Sequence, residues 1–381
     1  MTLKAIINGT LFLNGEFVEN RVLLFDRHIR GTAACAPEGA QVYDAGGGMV
    51  SAGLIDVHCH GFGGREAGEA TAEELLEMCR TLVGHGVTAW LPTVSCLPKD
   101  RYRDCFDQIR TARRQTEKPG FRGARILGAH AEGPFLSPQK CGAQNIACIL
   151  PPDWTMVEPF LPEIRMITVA PEMEGALPLI RRLADAGITV SAGHTNANYA
   201  QTVAGIDAGI THATHLFNAM PSLVSRNPGP VTALLNDHRV YCELIADGFH
   251  VHPALLALTA RLKGDRLVLV TDSIRFAGLP DGTYTLSGQT VTVHGPECLL
   301  PGGTIAGSTL TLDRAVRNAH DMGGMATTQA LFAATAGAAA SIGEHTRGTL
   351  ADGNDADIAV FDRQMQPTRT FVSGEEVWKA Q

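Results

Sequence analysis

A chain of 381 residues, 45% hydrophobic and 18% charged, is long enough for one large core and a smaller module and too apolar for a disordered polymer. Its 39 acidic residues outnumber 31 basic ones, giving a formal charge of −8, and no basic block breaks that balance. This argues against a nucleic-acid surface or an anionic membrane as partner, although local cations in a pocket can still receive an anionic small molecule. The opening Met1-Thr2-Leu3-Lys4-Ala5-Ile6-Ile7 reads as a strand rather than a signal peptide, and no apolar stretch is long enough for a membrane span. Nine cysteines, odd in number and without a Cys-X-X-Cys pair, favour reduced thiols and a cytoplasmic location. Cys59 and Cys141 lie near candidate site residues, where packing explains them well enough.

In chain order, the first 48 residues hold short strand-like runs at 5–7, 16–18, 21–25 and 40–43, with Asn14-Gly15 as a hairpin signal. The far end repeats the style at 357–361 and 370–377, so the two ends can pair into one small β-sandwich. Between them strand-like runs at 50–57, 87–94, 125–130, 166–170, 188–192, 210–215, 241–246 and 267–271 alternate with helical patterns. Residues 73–85 carry Leu75, Met78, Cys79, Leu82 and Val83 on one face before Gly86. Residues 176–186, 197–208 and 253–262 follow the same style. Such alternation predicts a (β/α)8 TIM-like barrel. A doubly wound sheet would want a glycine-rich nucleotide fingerprint after its first strand, and none is present. After the eighth strand, 282–294 reads as a β insertion, and 310–322 and 328–342 as helices. The expected division is a sandwich part at 1–49, a barrel at 50–345 and a second sandwich part at 346–381.

Gly53-Leu54-Ile55-Asp56-Val57-His58-Cys59-His60-Gly61 ends an apolar strand in two histidines. Side chains alternate along a strand, so His58 and His60 share a face and can grip one ion. A lone His-X-His is as readily a solvated strand end. Other strand ends tip the balance, because barrel enzymes carry their chemistry there. They offer His130 and Glu132, then His194, then His212 and His215, and finally Asp272. Imidazole and carboxylate donors without a cysteine cluster suit Zn²⁺ best, with Fe²⁺, Mn²⁺ or Co²⁺ as alternatives.

The chain resembles the amidohydrolase superfamily and, within it, the N-acetylglucosamine-6-phosphate deacetylase group. The resemblance rests on Ile7-Asn8-Gly9, the run ending at His60, Ala131-Glu132-Gly133-Pro134, Ser191-Ala192-Gly193-His194 and Thr214-His215-Leu216-Phe217-Asn218-Ala219-Met220. Ile245-Ala246-Asp247-Gly248-Phe249-His250, Ala306-Gly307-Ser308 and Gly348-Thr349-Leu350 extend it over nearly the whole length. It implies removal of an acetyl group from an amino-sugar phosphate, the gluco or the galacto epimer, by a metal-activated water. It implies Glu132, His194 and His215 as ligands of one metal, and His58 and His60 as ligands of a second, with Glu132 bridging. Asp272 would be the catalytic aspartate beside the metal, and His250 would help polarise the acetyl carbonyl. Arg226 would bind the phosphate, with Asn218 and the Ala219 backbone contacting phosphate or sugar. A homodimer or homotetramer is implied as well.

Two positions depart from the group. Gln144 stands where relatives carry a histidine, and Arg275 where they carry small residues; both are expected to retune substrate recognition. A cyclic-amidase relative would need a lysine at the end of the fourth strand, which here reads Ile167-Thr168-Val169-Ala170-Pro171. A non-catalytic sensor would have lost a ligand or Asp272, and none is lost.

Overall fold

Eight parallel strands surround the principal core: β1 (Leu54–Cys59), β2 (Val87–Val94), β3 (Ala129–Glu132), β4 (Ile164–Val169), β5 (Thr189–Ala192), β6 (Ile210–Ala213), β7 (Tyr241–Ile245) and β8 (Leu267–Val270). The computed structural model describes residues 2–286 and 288–381. Each strand pairs in parallel with the next from β1 to β8. The ring closes at the carboxyl ends, where the Asp272 N–H donates to the His58 carbonyl at 2.9 Å and Cys59 bridges Ser273. Val, Ile and Leu dominate these strands because both faces are buried, one by the barrel interior and one by helices.

The helices are α1 (Ala72–Leu82), α2 (Tyr102–Thr116), a single turn α3 (Trp154–Val157), α4 (Ala176–Asp185), α5 (Tyr199–Ala208), α6 (Pro230–Asn236), α7 (Pro253–Lys263) and α8 (Leu312–Asp321). In α1 a capping box between Thr71 and Glu74 satisfies the first free N–H groups, and Leu75, Met78, Cys79 and Leu82 face the core as the spacing predicts.

Three runs break where one continuous element was expected. The run 50–57 divides at Gly53: Met49–Ala52 joins a sheet outside the barrel and only the remainder enters β1. A Cβ at Gly53 would lie 2.1 Å from Thr88, so the crossing demands glycine. The run 125–130 divides at Gly128, whose φ of +139° suits no other residue. The helical run 328–342 becomes α9 (Thr327–Ala334) and α10 (Ala336–Ser341), separated by Thr335 at φ −129°, ψ −94°.

The two chain ends do pair. A six-stranded sheet runs Glu375–Lys379, Pro367–Val372, Ile358–Phe361, Met49–Ala52, Thr10–Leu13, Glu16–Val18. A four-stranded sheet of Ile29–Ala33, Val22–Phe25, Lys4–Ile7 and Gln41–Asp44 packs on it through Leu11, Phe25, Val50, Ile358 and Phe371. The strands Thr10–Leu13 and Ile29–Ala33 were not among the expected runs, although the Asn14-Gly15 turn joins the first of them to Glu16–Val18. The insertion after β8 is a three-stranded antiparallel sheet, Gly282–Leu286, Gln289–His294 and Glu297–Leu299. All nine cysteines are free, and among the described residues no helix is long and apolar enough to cross a membrane.

Candidate active site

Five strand ends deliver side chains to one point above the barrel. His58 belongs to β1 and Glu132 to β3, while His60, His194, His215 and Asp272 lie on the first residues beyond their strands. His194, His215 and Asp272 have φ of +45°, +31° and +48°, a left-handed region costing about 1–3 kcal/mol for a side chain of this size. Neighbouring backbone holds them there. Ser137 donates to the His194 carbonyl at 2.9 Å, Ser308 to the Asp272 carbonyl at 2.8 Å, and the His215 N–H reaches Glu243 at 2.9 Å. Strain of this kind gathers where geometry matters more than local preference.

Glu132 is the hub. Its Oε1 lies 3.1 Å from His194 Nε2, 3.0 Å from His215 Nε2 and 3.5 Å from His58 Nε2, while Oε2 is 3.3 Å from His60 Nε2. Asp272 Oδ1 is 3.3 Å from Nε2 of both His58 and His60. Ring nitrogens also face one another: His58 and His60 at 3.2 Å, His194 and His215 at 3.1 Å. Two donor triads therefore stand side by side, His58 with His60 and Asp272, and Glu132 with His194 and His215.

The remaining ring nitrogens are fixed from behind. His58 Nδ1 meets Glu243 at 2.9 Å, His60 Nδ1 meets Ser95 Oγ at 3.1 Å, and His194 Nδ1 meets the Lys140 carbonyl at 2.9 Å. Each partner leaves Nε2 turned inward. Glu243, fully buried on β7, also receives His212 Nε2 at 3.0 Å. His212 thus serves the site only indirectly, through Glu243.

The charge is unbalanced. Glu132, Asp272 and Glu243 are buried, and no lysine or arginine lines the cavity among the described residues. Burial works against a charged His215, yet Glu132 pushes its pKa up to about 9. Burial would raise the Asp272 carboxyl, but His58, His60 and His215 hold it at about 2. The group draws in protons for want of a fixed cation, and a divalent ion would replace them. Donor type, convergence and charge all fit a metal.

The cavity over this centre encloses about 730 Å³. Gln144, Asn218, Ala219 and His250 line it, together with His60, Glu132, His194, His215 and Asp272. His250 Nδ1 is held by Asp247 at 2.6 Å, with the rest of the ring toward the cavity. Gln144 Nε2 donates to Glu132 Oε2, and its Oε1 accepts the Cys96 N–H at 2.8 Å. Its polar atoms therefore act on the Glu132 carboxylate, a role not anticipated beside the expected contact with substrate.

Two expected substrate contacts are not brought into this wall. Arg226 sits exposed in the loop before α6, with no hydrogen bond or ion pair among the described residues, and does not line the cavity. Arg275 is turned to Glu66 (3.4 Å) and Glu69 (2.6 Å), and those carboxylates, not the guanidinium, face the cavity. Glu243, Ser95, Glu66 and Glu69 went unrecognised in the sequence. Only Glu243 leaves a signal there, a lone charge inside the apolar strand Tyr241-Cys242-Glu243-Leu244-Ile245.

A closed (β/α)8 barrel with imidazole and carboxylate triads at its carboxyl mouth defines the class of barrel hydrolases built around a metal centre. Residues 49–377 match the model of the amidohydrolase family. The chain is 33% identical to N-acetylgalactosamine-6-phosphate deacetylase of Escherichia coli O157:H7, over 90% of this chain and 91% of that one. It is 36% identical to N-acetylglucosamine-6-phosphate deacetylase of Bacillus subtilis (strain 168), over 84% and 83%. The crystal structure of N-acetylglucosamine-6-phosphate deacetylase from Pasteurella multocida superposes with a TM-score of 0.92 at 30% identity, covering 98% of this chain and 99% of that one. This chain belongs to the amidohydrolase family.

Proposed function

We propose that this chain is a metal-dependent deacetylase of an N-acetylhexosamine 6-phosphate, yielding hexosamine 6-phosphate and acetate. N-acetylglucosamine 6-phosphate is the leading substrate. The observation that carries the reading is the convergence of Asp272, Glu132 and four imidazoles on the floor of one cavity, with Asn218, Ala219 and His250 in its wall. The names of the relatives support it, and the Escherichia coli relative favours the galacto epimer as the second reading.

Glu132, His194 and His215 would hold one ion, and His58 and His60 with Asp272 a second, Glu132 shared between them. Zn²⁺ suits these donors best, and Fe²⁺, Mn²⁺ or Co²⁺ would also be accommodated. A bound divalent ion lowers the pKa of a coordinated water to about 7 and polarises a carbonyl. Asp272, ionised and at the cavity floor, takes the proton of the attacking water and returns it to the departing amine, which leaves poorly as an anion. His250, anchored by Asp247, keeps Nε2 for the acetyl or sugar oxygens.

Arg226 is assigned to the phosphate, for which a guanidinium fork is the matching donor. Leu223 and Val224 beside it are 57% and 52% exposed, an apolar surface that a homodimer or homotetramer would cover. We place the sandwich at 1–49 and 346–381, the barrel at 50–345, and the enzyme in the cytoplasm, in keeping with its nine free thiols.

The test is amine release by the metal-loaded enzyme across phosphorylated and unphosphorylated N-acetylhexosamines, with metal analysis alongside. Turnover of the 6-phosphates with stoichiometric metal is expected. Preparations without metal would sink the catalytic reading, and turnover of unphosphorylated sugars alone would sink the assignment of Arg226.

A further inference from the structure

A second cavity, of about 580 Å³, lies at the other end of the barrel. Its walls come from residues leading into β3, Arg165 at the start of β4, the turn after α2, the segment after α10, and the turn Val372-Ser373 of the sandwich. Seven of its lining residues are cationic and three acidic, against the composition of a chain with net charge −8.

What holds these cations is unusual. Arg165 donates to the carbonyls of Ile342 and Gly343, both at 2.7 Å, and Arg122 to that of Glu376 at 2.6 Å. Arg113 donates to the Pro162 carbonyl at 3.2 Å, and Arg125 to that of Thr116 and to Ser373 Oγ at 3.3 Å. Carbonyls fix a guanidinium in place but do not neutralise it. Arg125 is only 9% exposed and has no carboxylate partner among the described residues, an expensive state for a buried charge. The side chains of Arg27 and Lys118, which also line the cavity, have neither a hydrogen bond nor an ion pair among the described residues.

The acids do not cancel this. Glu117 pairs with Arg113 at 3.5 Å and Glu375 with Lys4 at 2.7 Å. Glu344, at 3.9 Å, shares Arg347 with Asp355 (2.6 Å) and Asp357 (2.9 Å), which stand behind it. Even with those two counted, the cations are in excess. Arginines set in place by backbone and left with spare N–H donors are pre-organised for phosphate oxygens. Phe121, Ile126, Leu127 and Val372 supply apolar wall for the body of a ligand, and the volume is that of a small-molecule site.

We propose that this cavity binds a phosphorylated small molecule, a sugar phosphate or a nucleotide, at the junction of barrel and sandwich and away from the catalytic mouth. The bound phosphate replaces the missing counter-charge of Arg125 and Arg165, and its ligand ties the two parts of the fold together.

The test is calorimetric titration and thermal shift of the full-length protein with pyrophosphate, AMP and glucose 6-phosphate. Saturable binding of at least one probe is expected, with a rise in Tm. R27Q/K118Q removes two unpaired surface cations, so it should fold and deacetylate normally yet lose at least about tenfold in affinity. R122Q serves as an independent second variant with the same expected direction. N218A and H250A, which alter the proposed catalytic cavity, should leave this binding unchanged. The tightest probe assigns the ligand class. No saturable binding of any probe would overturn the proposal, as would unchanged affinity in both R27Q/K118Q and R122Q, or binding lost in N218A and H250A.

Discussion

Two cavities of this molecule, one at each end of the barrel, are built with opposite charge. At the mouth of the barrel, carboxylates and imidazoles crowd together with no lysine or arginine in the wall among the described residues. At the opposite end, arginines held by carbonyls crowd together with too few carboxylates. A crowd of like-signed charge, buried at the mouth and partly buried around Arg125 at the far end, is stabilised when an opposite charge completes it. The mouth therefore asks for a cation and the far cavity for an anion. The difference also bears on catalysis, because a phosphorylated substrate must enter the negatively charged cavity and needs a bound cation or a distant arginine to do so.

The largest expected effect comes from removing the proposed proton carrier at the mouth. Asp272→Asn should lower kcat about a thousandfold, the span of a lost general base, at most modestly raising KM. Metal content should be followed in the same samples. A variant that keeps its metal and its kcat would remove Asp272 from the chemistry.

The next test asks whether the mouth wants a cation at all. In metal-free protein the folded pKa of His215 stands at about 9, above the ordinary value of 6.5. A raised imidazole contributes stability fully below pH 6.5, and that contribution is lost as pH climbs toward 9, up to about 3 kcal/mol. Thermal scans of chelator-treated enzyme should show Tm falling across this window. The metal-loaded enzyme should not follow, because its ligands need no proton. Parallel curves would mean that protons and metal do not compete at this centre.

Glu243→Gln sharpens the same comparison from one layer back. The swap keeps size but loses the charge that orients His58 and receives His212. Metal affinity should fall about ten- to a hundredfold, with the fold intact by circular dichroism. Unchanged affinity would reduce Glu243 to a packing residue.

These residues differ in how far the sequence revealed them. The barrel and the histidines gathered at its strand ends were legible because both follow local rules: strand-helix alternation, and histidines placed where a strand must end. Glu243 was visible only as an oddity, since its partners His58 and His212 lie 185 and 31 residues away. The break at Gly53 depends on Thr88, and the strand Met49–Ala52 depends on pairing with Ile358–Phe361 at the far end of the chain. Arg226 and Arg275 stood out as residue types, but no local rule says which way a loop arginine turns. Arg275 turned to Glu66 and Glu69, more than two hundred residues earlier.

That turn allows the finest test of the charge comparison. Arg275 neutralises two carboxylates in the wall of an already negative cavity; burial raises the Glu66 pKa, and His60 and Arg275 oppose that rise. Arg275→Gln would leave Glu66 and Glu69 facing the incoming phosphate uncompensated. At the separations of a 730 Å³ cavity and the effective dielectric of a partly wet site, this should raise KM for N-acetylglucosamine 6-phosphate about threefold, with kcat unchanged. Added salt should shrink the difference, because the Debye length falls from about 10 Å at 0.1 M to about 3 Å at 1 M. N-acetylglucosamine itself is neutral and should bind both enzymes alike. If KM rose equally for the neutral sugar, or persisted at high salt, Arg275 would be shaping the wall by contact, and the cavity's charge would not govern entry.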